Sequence, residues 1–236
     1  MKMTDLIQAC KDSCPDSVSW MVRELYGDFN IGDYMRDVKK VLYCVTPTKE
    51  VVDYFREHKY DLLISHHPFV VDVPQLIFHT ALDCCDGGLN DQWRDHLGIL
   101  SPYQHFDGTL GWYGRIKPTP FLELCRLVKG LSRSLDGECW SESPDFIVNS
   151  VVVCSGLGGM VNDLALATKA DCYILGEQTM SARHTGFKSV IETGHTNSEW
   201  MGVLLFQRLL TGVQVDLAPK EVDYYGREKR MSRKVG

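Results

Sequence analysis

Apolar runs with abrupt polar stops recur along this chain, and their lengths and spacings predict the elements. VKKVLYCVTP (38–47) is rich in β-branched and apolar residues and is punctuated by Thr46, Pro47 and Thr48, which predicts a buried strand. KEVVDYFREHK (49–59) then carries Val51, Val52, Tyr54 and Phe55 at helical spacing, and YDLLISHH (60–67) is a second strand-like run. Strand, helix and strand in this order form a β-α-β unit, which requires parallel strands. The pattern returns further on. VNSVVVCSG (148–156) predicts a strand, GMVNDLALATKA (159–170) a helix and DCYILGE (171–177) another strand. KSVIETGH (188–195) predicts a strand that ends in a histidine, NSEWMGVLLFQRLL (197–210) an apolar-faced helix closed by Gly212, and VQVDLA (213–218) a last strand.

Two stretches look alike: EHKYDLLISHH (57–67) and ATKADCYILGE (167–177) each run from a lysine through an aspartate and an apolar strand to a polar pair. This predicts an α/β protein of two related halves with mixed, largely parallel sheets. The halves are expected at 1–120 and 121–236, with the boundary somewhere in 100–145. Within that zone FDGTLGWYGRIKPTP (106–120) reads as loop and turn, FLELCRLVKGL (121–131) as a helix after Pro120, and DGECWSESPD (136–145) as loop. The tail YYGREKRMSRKVG (224–236) is polar and basic and reads as a frayed or loosely docked terminus, with a binding arm as the lesser reading.

At 236 residues the chain can bury one large core or two smaller ones. With 44% hydrophobic and 24% charged residues it is globular, and a net charge of −6 gives it no basic footprint, so nucleic acid is not the expected partner. MKMTDLIQACKDSC (1–14) reads as a short amphipathic helix without a signal peptide's apolar core, and no apolar stretch is long enough to span a bilayer. Nine scattered cysteines without a CxxC pair then read as reduced structural thiols in a cytoplasmic protein.

The chemistry gathers at strand ends. Of eight histidines, His66, His67 and His195 end apolar runs, and ligands in open α/β sheets collect beyond the carboxyl ends of parallel strands. A lone histidine there is usually just hydrogen-bonded in place. Adjacent histidines are different: in a regular strand they point to opposite faces, so His66 and His67 converge only where the strand has broken, and Pro68 helps break it. A metal would supply the partner that two buried imidazoles need. In GHTNSE (194–199), His195 and Glu199 stand four apart, on one face of any helical turn, although a glutamate in a first helical turn also suits the helix dipole. In FHTALDCCDGGLND (78–91), FHTALD alternates like a strand ending at Asp83; Asp83 can be a turn former or a hard oxygen ligand, and His79 shares the ambiguity. Three histidines and two carboxylates exceed one four-coordinate zinc and suit two ions of Zn, Mn, Fe, Co or Ni. Such a pair generates a hydroxide nucleophile and clamps an oxyanion, which is hydrolytic chemistry. Glu177 at the end of DCYILGE can back a ligand, move protons or start a helix, and His79 and His184 are lesser candidates for moving protons. The glycines of CSGLGG (154–159) match neither phosphate-binding motif and read as tight strand–helix packing, with substrate phosphate as the lesser alternative.

DLLISHHPF, HTALDCCDGGLND, VVVCSGLGG, LGEQTMSA and GHTNSE occur in the order found in NIF-three-like dinuclear-metal proteins, often labelled type 2 homologues of GTP cyclohydrolase I. The chain resembles that family from about residue 38 to 217. The resemblance implies metal ligation by His66, His67, Asp83, His195 and Glu199, two α/β halves with two divalent ions in the cleft between them, and a ring-shaped homohexamer built from trimers. It implies a metal-dependent hydrolase acting on a nucleotide or a phosphate ester through a metal-bridging hydroxide, with a metal-binding regulatory or assembly protein as the alternative. Two features depart from the family pattern. The 68–82 connection between His67 and Asp83 is short, with little room for the helix relatives carry there, and Thr46 stands near a place where many relatives have aspartate.

Overall fold

The computed structural model describes residues 1–14, 23–26, 35–105, 111–132, 138–158, 169–177 and 187–223. Along the chain run α1 (Met3–Asp12), β1 (Arg23–Tyr26), β2 (Lys40–Cys44), α2 (Lys49–Glu57), β3 (Leu62–Ser65), β4 (Gln75–Ile77) and α3 (Thr80–Cys84). They are followed by α4 (Leu89–Leu97), β5 (Leu100–His105), β6 (Trp112–Pro120), α5 (Phe121–Leu131), β7 (Cys139–Ser141), β8 (Ile147–Leu157), β9 (Cys172–Glu177) and β10 (Ser189–Glu192). The last are α6 (His195–Glu199), α7 (Gly202–Leu209) and β11 (Gln214–Leu217). The chain divides into two compact units, Met1–Gly88 with Trp200–Gly236, and Leu89–Glu199. The segment from Trp200 thus returns to the first unit, whereas the sequence suggests halves of 1–120 and 121–236.

Among the described residues, the first unit holds a sheet ordered β1-β4-β3-β2-β11. Strands β4, β3, β2 and β11 are mutually parallel, and β1 runs antiparallel at one edge. Helix α2 forms where the apolar spacing predicts it. Thr48 caps it by accepting a hydrogen bond from Val51 N, and Val51, Val52 and Phe55 are buried. They pack with Leu42, Cys44, Tyr60 and Leu63, and each such side chain stabilises the fold by about 1.5–3 kcal/mol relative to exposure. Helix α1 buries Met3, Leu6, Ile7 and Cys10, the amphipathic stripe read from the sequence.

In the second unit the described strands form a sheet ordered β5-β6-β8-β9-β10-β7. Strands β8, β9 and β10 are parallel; β5, β6 and β7 are antiparallel to their neighbours. Val152, Cys154, Tyr173, Leu175, Phe187 and Val190 form an apolar cluster. The two units repeat one local device. Lys59 and Lys169 both have positive φ, 54° and 52°, and each stands two residues before an aspartate. Asp61 Oδ2 accepts from the N–H groups of Lys39 and Lys40, and Asp171 Oδ2 accepts from that of Asn149. This is consistent with related halves.

Several sequence expectations are corrected. Residues 112–120 form strand β6, not loop, and 139–141 form β7. The pairing of β5 with β6 begins at Leu100↔Arg115, so Pro118 and Pro120 lie beyond it, where a missing N–H costs little. Asp83 lies in a short helix, not at a strand end. Ala81, Leu82 and Cys84 are buried in it, and Phe78 just before it is buried at helical spacing from Ala81 and Leu82. The 197–210 segment is two helices, parted at Trp200 and Met201, and β10 stops at Glu192, ahead of His195. The expected helix at 159–170 falls almost wholly outside the described residues, as do His184 and the 224–236 tail. Among the described residues no helix is long and apolar enough to cross a membrane.

Candidate metal centre

In the first unit β3 delivers His66 and His67 to the carboxyl end of its parallel neighbours. The N–H of His66 donates to Cys44 O (3.0 Å) and that of His67 to Val45 O (2.8 Å), so the backbone still follows β2. Past Pro68 the chain turns back, and Phe69 N donates to His67 O (2.9 Å). The buried Gln75 side chain braces this turn, donating to Ser65 Oγ and Phe69 O, each at 2.8 Å. Both imidazoles are buried, with ring centroids 5.4 Å apart. His79, at the start of α3, brings a third ring to 4.8 Å from that of His66 and 6.0 Å from that of His67. Its side chain makes no capping bond to the helix.

The outer nitrogens reveal the proton positions. His66 Nδ1 lies 3.2 Å from Phe78 O. A carbonyl only accepts, so this bond puts the proton on Nδ1 and the lone pair on Nε2. His67 Nδ1 lies 2.8 Å from Thr46 Oγ1. Asp83 Oδ1, on α3, stands 4.0 Å from His66 Nε2. The short 68–82 connection therefore does bring Asp83 beside His66. One ligand atom from each of His66, His67 and His79 lies within 4.8 Å of the others, and these three can hold a metal ion.

The second unit builds its own cluster. His195 and Glu199 lie four apart on α6, with His195 Nε2 3.4 Å from Glu199 Oε1. His195 Nδ1 lies 3.2 Å from Glu177 Oε2 at the end of β9, so each of its ring nitrogens faces a carboxylate oxygen. The helix is braced internally and pinned by β8 and α4. Ser198 Oγ donates to His195 O (2.7 Å) and accepts from Gly156 N (2.8 Å), and Trp93 Nε1 donates to Ser198 O (2.9 Å). Gly156 has φ +60°, and a Cβ there would overlap Glu199 Oε1 and come within 3.4 Å of His195 Nε2. The glycine of CSGLGG thus makes room for the carboxylate. Burial works against a charged His195, while Glu199 and then Glu177 favour it; the balance lifts its imidazole above the ordinary value.

These donor sets fit a divalent cation. Imidazole nitrogens and carboxylate oxygens gathered at such distances are the donor types that a divalent transition-metal ion takes. Two bonds of about 2.1 Å meeting at a tetrahedral angle separate their donor atoms by about 3.4 Å, as His195 Nε2 and Glu199 Oε1 are separated. In all three cases Nδ1 is held from behind, the arrangement that orients metal-binding histidines.

The structure thus brings His66, His67, His79 and Asp83 together in one unit, and His195, Glu199 and Glu177 in the other. Sequence reasoning did not find Phe78 O or Ser198, because backbone carbonyls and small hydroxyls carry no motif. It noted Thr46 and Gly156 without their roles; their places at strand ends were the available signal.

A family model described as Duf34/NIF3 (NGG1p interacting factor 3) matches residues 1–77 and 72–223. A "GTP cyclohydrolase 1 type 2 homolog" of Clostridium perfringens is 25% identical over 241 residues, covering 85% of this chain and 87% of the relative. One of the same name from Methanocaldococcus jannaschii is 24% identical over 253 residues, covering 95% and 100%. Among solved structures, reduced HcgD from Methanocaldococcus jannaschii superposes with a TM-score of 0.77 at 21% identity, covering 95% of this chain and 98% of that one. A Bacillus cereus protein related to NIF3 gives 0.74 at 14% identity, covering 94% and 97%. The chain belongs to the Duf34/NIF3 family.

Proposed function

We propose that this protein is a metal-dependent hydrolase that binds two divalent ions through His66, His67, Asp83, His195 and Glu199 and acts on a nucleotide or phosphate ester. The observation that carries the reading is the common state of three imidazoles: His66, His67 and His195 each have Nδ1 engaged by an oxygen at 2.8–3.2 Å, which turns Nε2 to coordination. The names of the curated relatives favour a nucleotide substrate. When bound, paired divalent ions lower the pKa of water and neutralise a developing oxyanion.

The chain's own residues have distinct tasks in this reading. Phe78 O and Thr46 Oγ1 fix the His66 and His67 rings, and Glu177 fixes that of His195. Burial of His66, His67 and Glu199 keeps water from competing for the ligand atoms. His79, whose ring packs against that of His66, carries protons in this reading.

The test compares the metal-loaded protein with a His67→Ala, Glu199→Ala double variant on nucleoside triphosphates and phosphodiesters. Turnover that falls at least a hundredfold in the variant is expected. Equal turnover in both proteins contradicts the hydrolase and leaves a metal-binding protein without turnover of its own.

A further inference from the structure

Asp223 lies outside every motif of the candidate centre, yet it is only 1% exposed. Burying a carboxylate is unfavourable unless strong hydrogen bonds replace its water. Here both oxygens are used on consecutive backbone amides. Val45 N donates to Oδ2 (2.8 Å) and Thr46 N to Oδ1 (2.9 Å). These amides follow the last residue of β2, where the chain leaves the sheet. Such charge-assisted pairs are short and directional, and they fix the turn at Val45 and Thr46.

The same two residues hold His67. Val45 O accepts the His67 backbone N–H at 2.8 Å, and Thr46 Oγ1 meets the His67 ring at Nδ1, also at 2.8 Å. One carboxylate therefore stands behind both the backbone and the ring of this histidine. Asp223 is itself held firmly. Its N–H donates to Pro219 O (3.0 Å), Ala218 N donates to Tyr43 O (2.8 Å), and Thr48 Oγ1 donates to Val222 O (2.8 Å). All these residues belong to the first unit.

The ring contact needs this support. The carbonyl behind His66 can only accept, so it dictates that ring's proton by itself. A hydroxyl can donate or accept, so Thr46 orients the His67 ring only if its oxygen is held in place, and it selects the Nδ1–H tautomer when it acts as acceptor.

We infer that Asp223 is a positioning residue for His67: by clamping the Val45 and Thr46 amides it holds Thr46 Oγ1 where it accepts a hydrogen bond from Nδ1–H and leaves Nε2 for coordination. The inference rests on the metal-binding reading proposed above. It assigns a part in that centre to a residue of the segment after β11, 156 residues beyond the histidine it serves.

The test has two readouts. The first is the imidazole tautomer of His67 in ¹⁵N-labelled, metal-free protein, from long-range ¹H–¹⁵N couplings at alkaline pH. The second is zinc affinity by chelator competition. Wild type is expected to show a single Nδ1–H tautomer. Asp223→Asn, which puts an NH₂ group against one of the two amides, is expected to give mixed tautomers and zinc binding weaker by about tenfold, within the range for groups behind metal ligands. Thr46→Val should do the same, and Thr46→Ser should restore the wild-type state. If Asp223→Asn does not fold, the Thr46 pair together with Asp223→Glu decides, since the longer side chain keeps the charge and moves the carboxylate. Lower thermal stability with the wild-type tautomer retained overturns the inference, as does an unchanged zinc affinity. Absence of zinc binding in the wild type counts against the metal reading instead, and the tautomer measurement still judges Asp223.

Discussion

At the residue scale, the candidate centre is built from side chains whose orientation is set by what lies behind them. His66 leans on a carbonyl, His67 on a hydroxyl and His195 on a carboxylate. The candidate residues were legible in the sequence, because paired histidines at a strand end are hard to explain structurally and they draw attention to the His-x-x-x-Glu turn. Their supports were not. Thr46 and Asp223 meet at Thr46 N across 177 positions, and no local pattern announces such a contact. Gly156 shows the same limit: its motif resembles a phosphate turn, but the space it leaves is occupied by Glu199. Replacing it makes a sharp prediction. Gly156→Ala combines a left-handed backbone, which costs a side-chain-bearing residue about 1–2 kcal/mol, with a clash on Glu199. Chemical denaturation should show a loss of at least that size, together with weaker metal binding. Wild-type values in both measurements would mean that the close approach has no consequence.

At the scale of elements, the parallel strands and the α2 crossover were legible because they are buried on both faces and therefore apolar without a break. The antiparallel strand β6 was not, since its exposed positions and two prolines imitate a loop. The short helix carrying Asp83 was missed because six residues fit either period. The starts of β8, β9 and β10 are tied together by Asp171, which accepts from Asn149 N (3.0 Å) and pairs with Lys188 (3.0 Å). Its partial burial raises the carboxyl's pKa, but Lys188 and the Asn149 N–H outweigh it, and the net direction is downward. A carboxyl depressed in the folded state stabilises above its unfolded value and loses that contribution as pH falls through the folded one. Stability measured by denaturant from neutral pH to below about pH 4 should therefore fall more steeply in wild type than in Asp171→Asn. Parallel curves would show that the ion pair is inert.

At the scale of the whole molecule, each unit sets histidines beyond the carboxyl ends of its parallel strands, His66 and His67 after β3 and His195 after β10. The repeated Lys-x-Asp device, with left-handed Lys59 and Lys169, gives the internal similarity read from the sequence a physical form. The course of the chain was less legible. The return to the first unit occurs at Trp200, inside what reads as one continuous apolar helix, and an apolar period does not tell which core a helix face serves. The central claim is that the His66–His67 group and the His195–Glu199 group bind metal, and metal content tests it most directly. Protein reconstituted with Zn, Mn, Fe, Co or Ni in turn, freed of excess ion and measured by elemental analysis, should retain about two ions per chain for at least one metal. A His66→Ala, His195→Ala variant should retain less than half as much. Fewer than one ion per chain with every metal, or equal retention in the variant, would contradict the account.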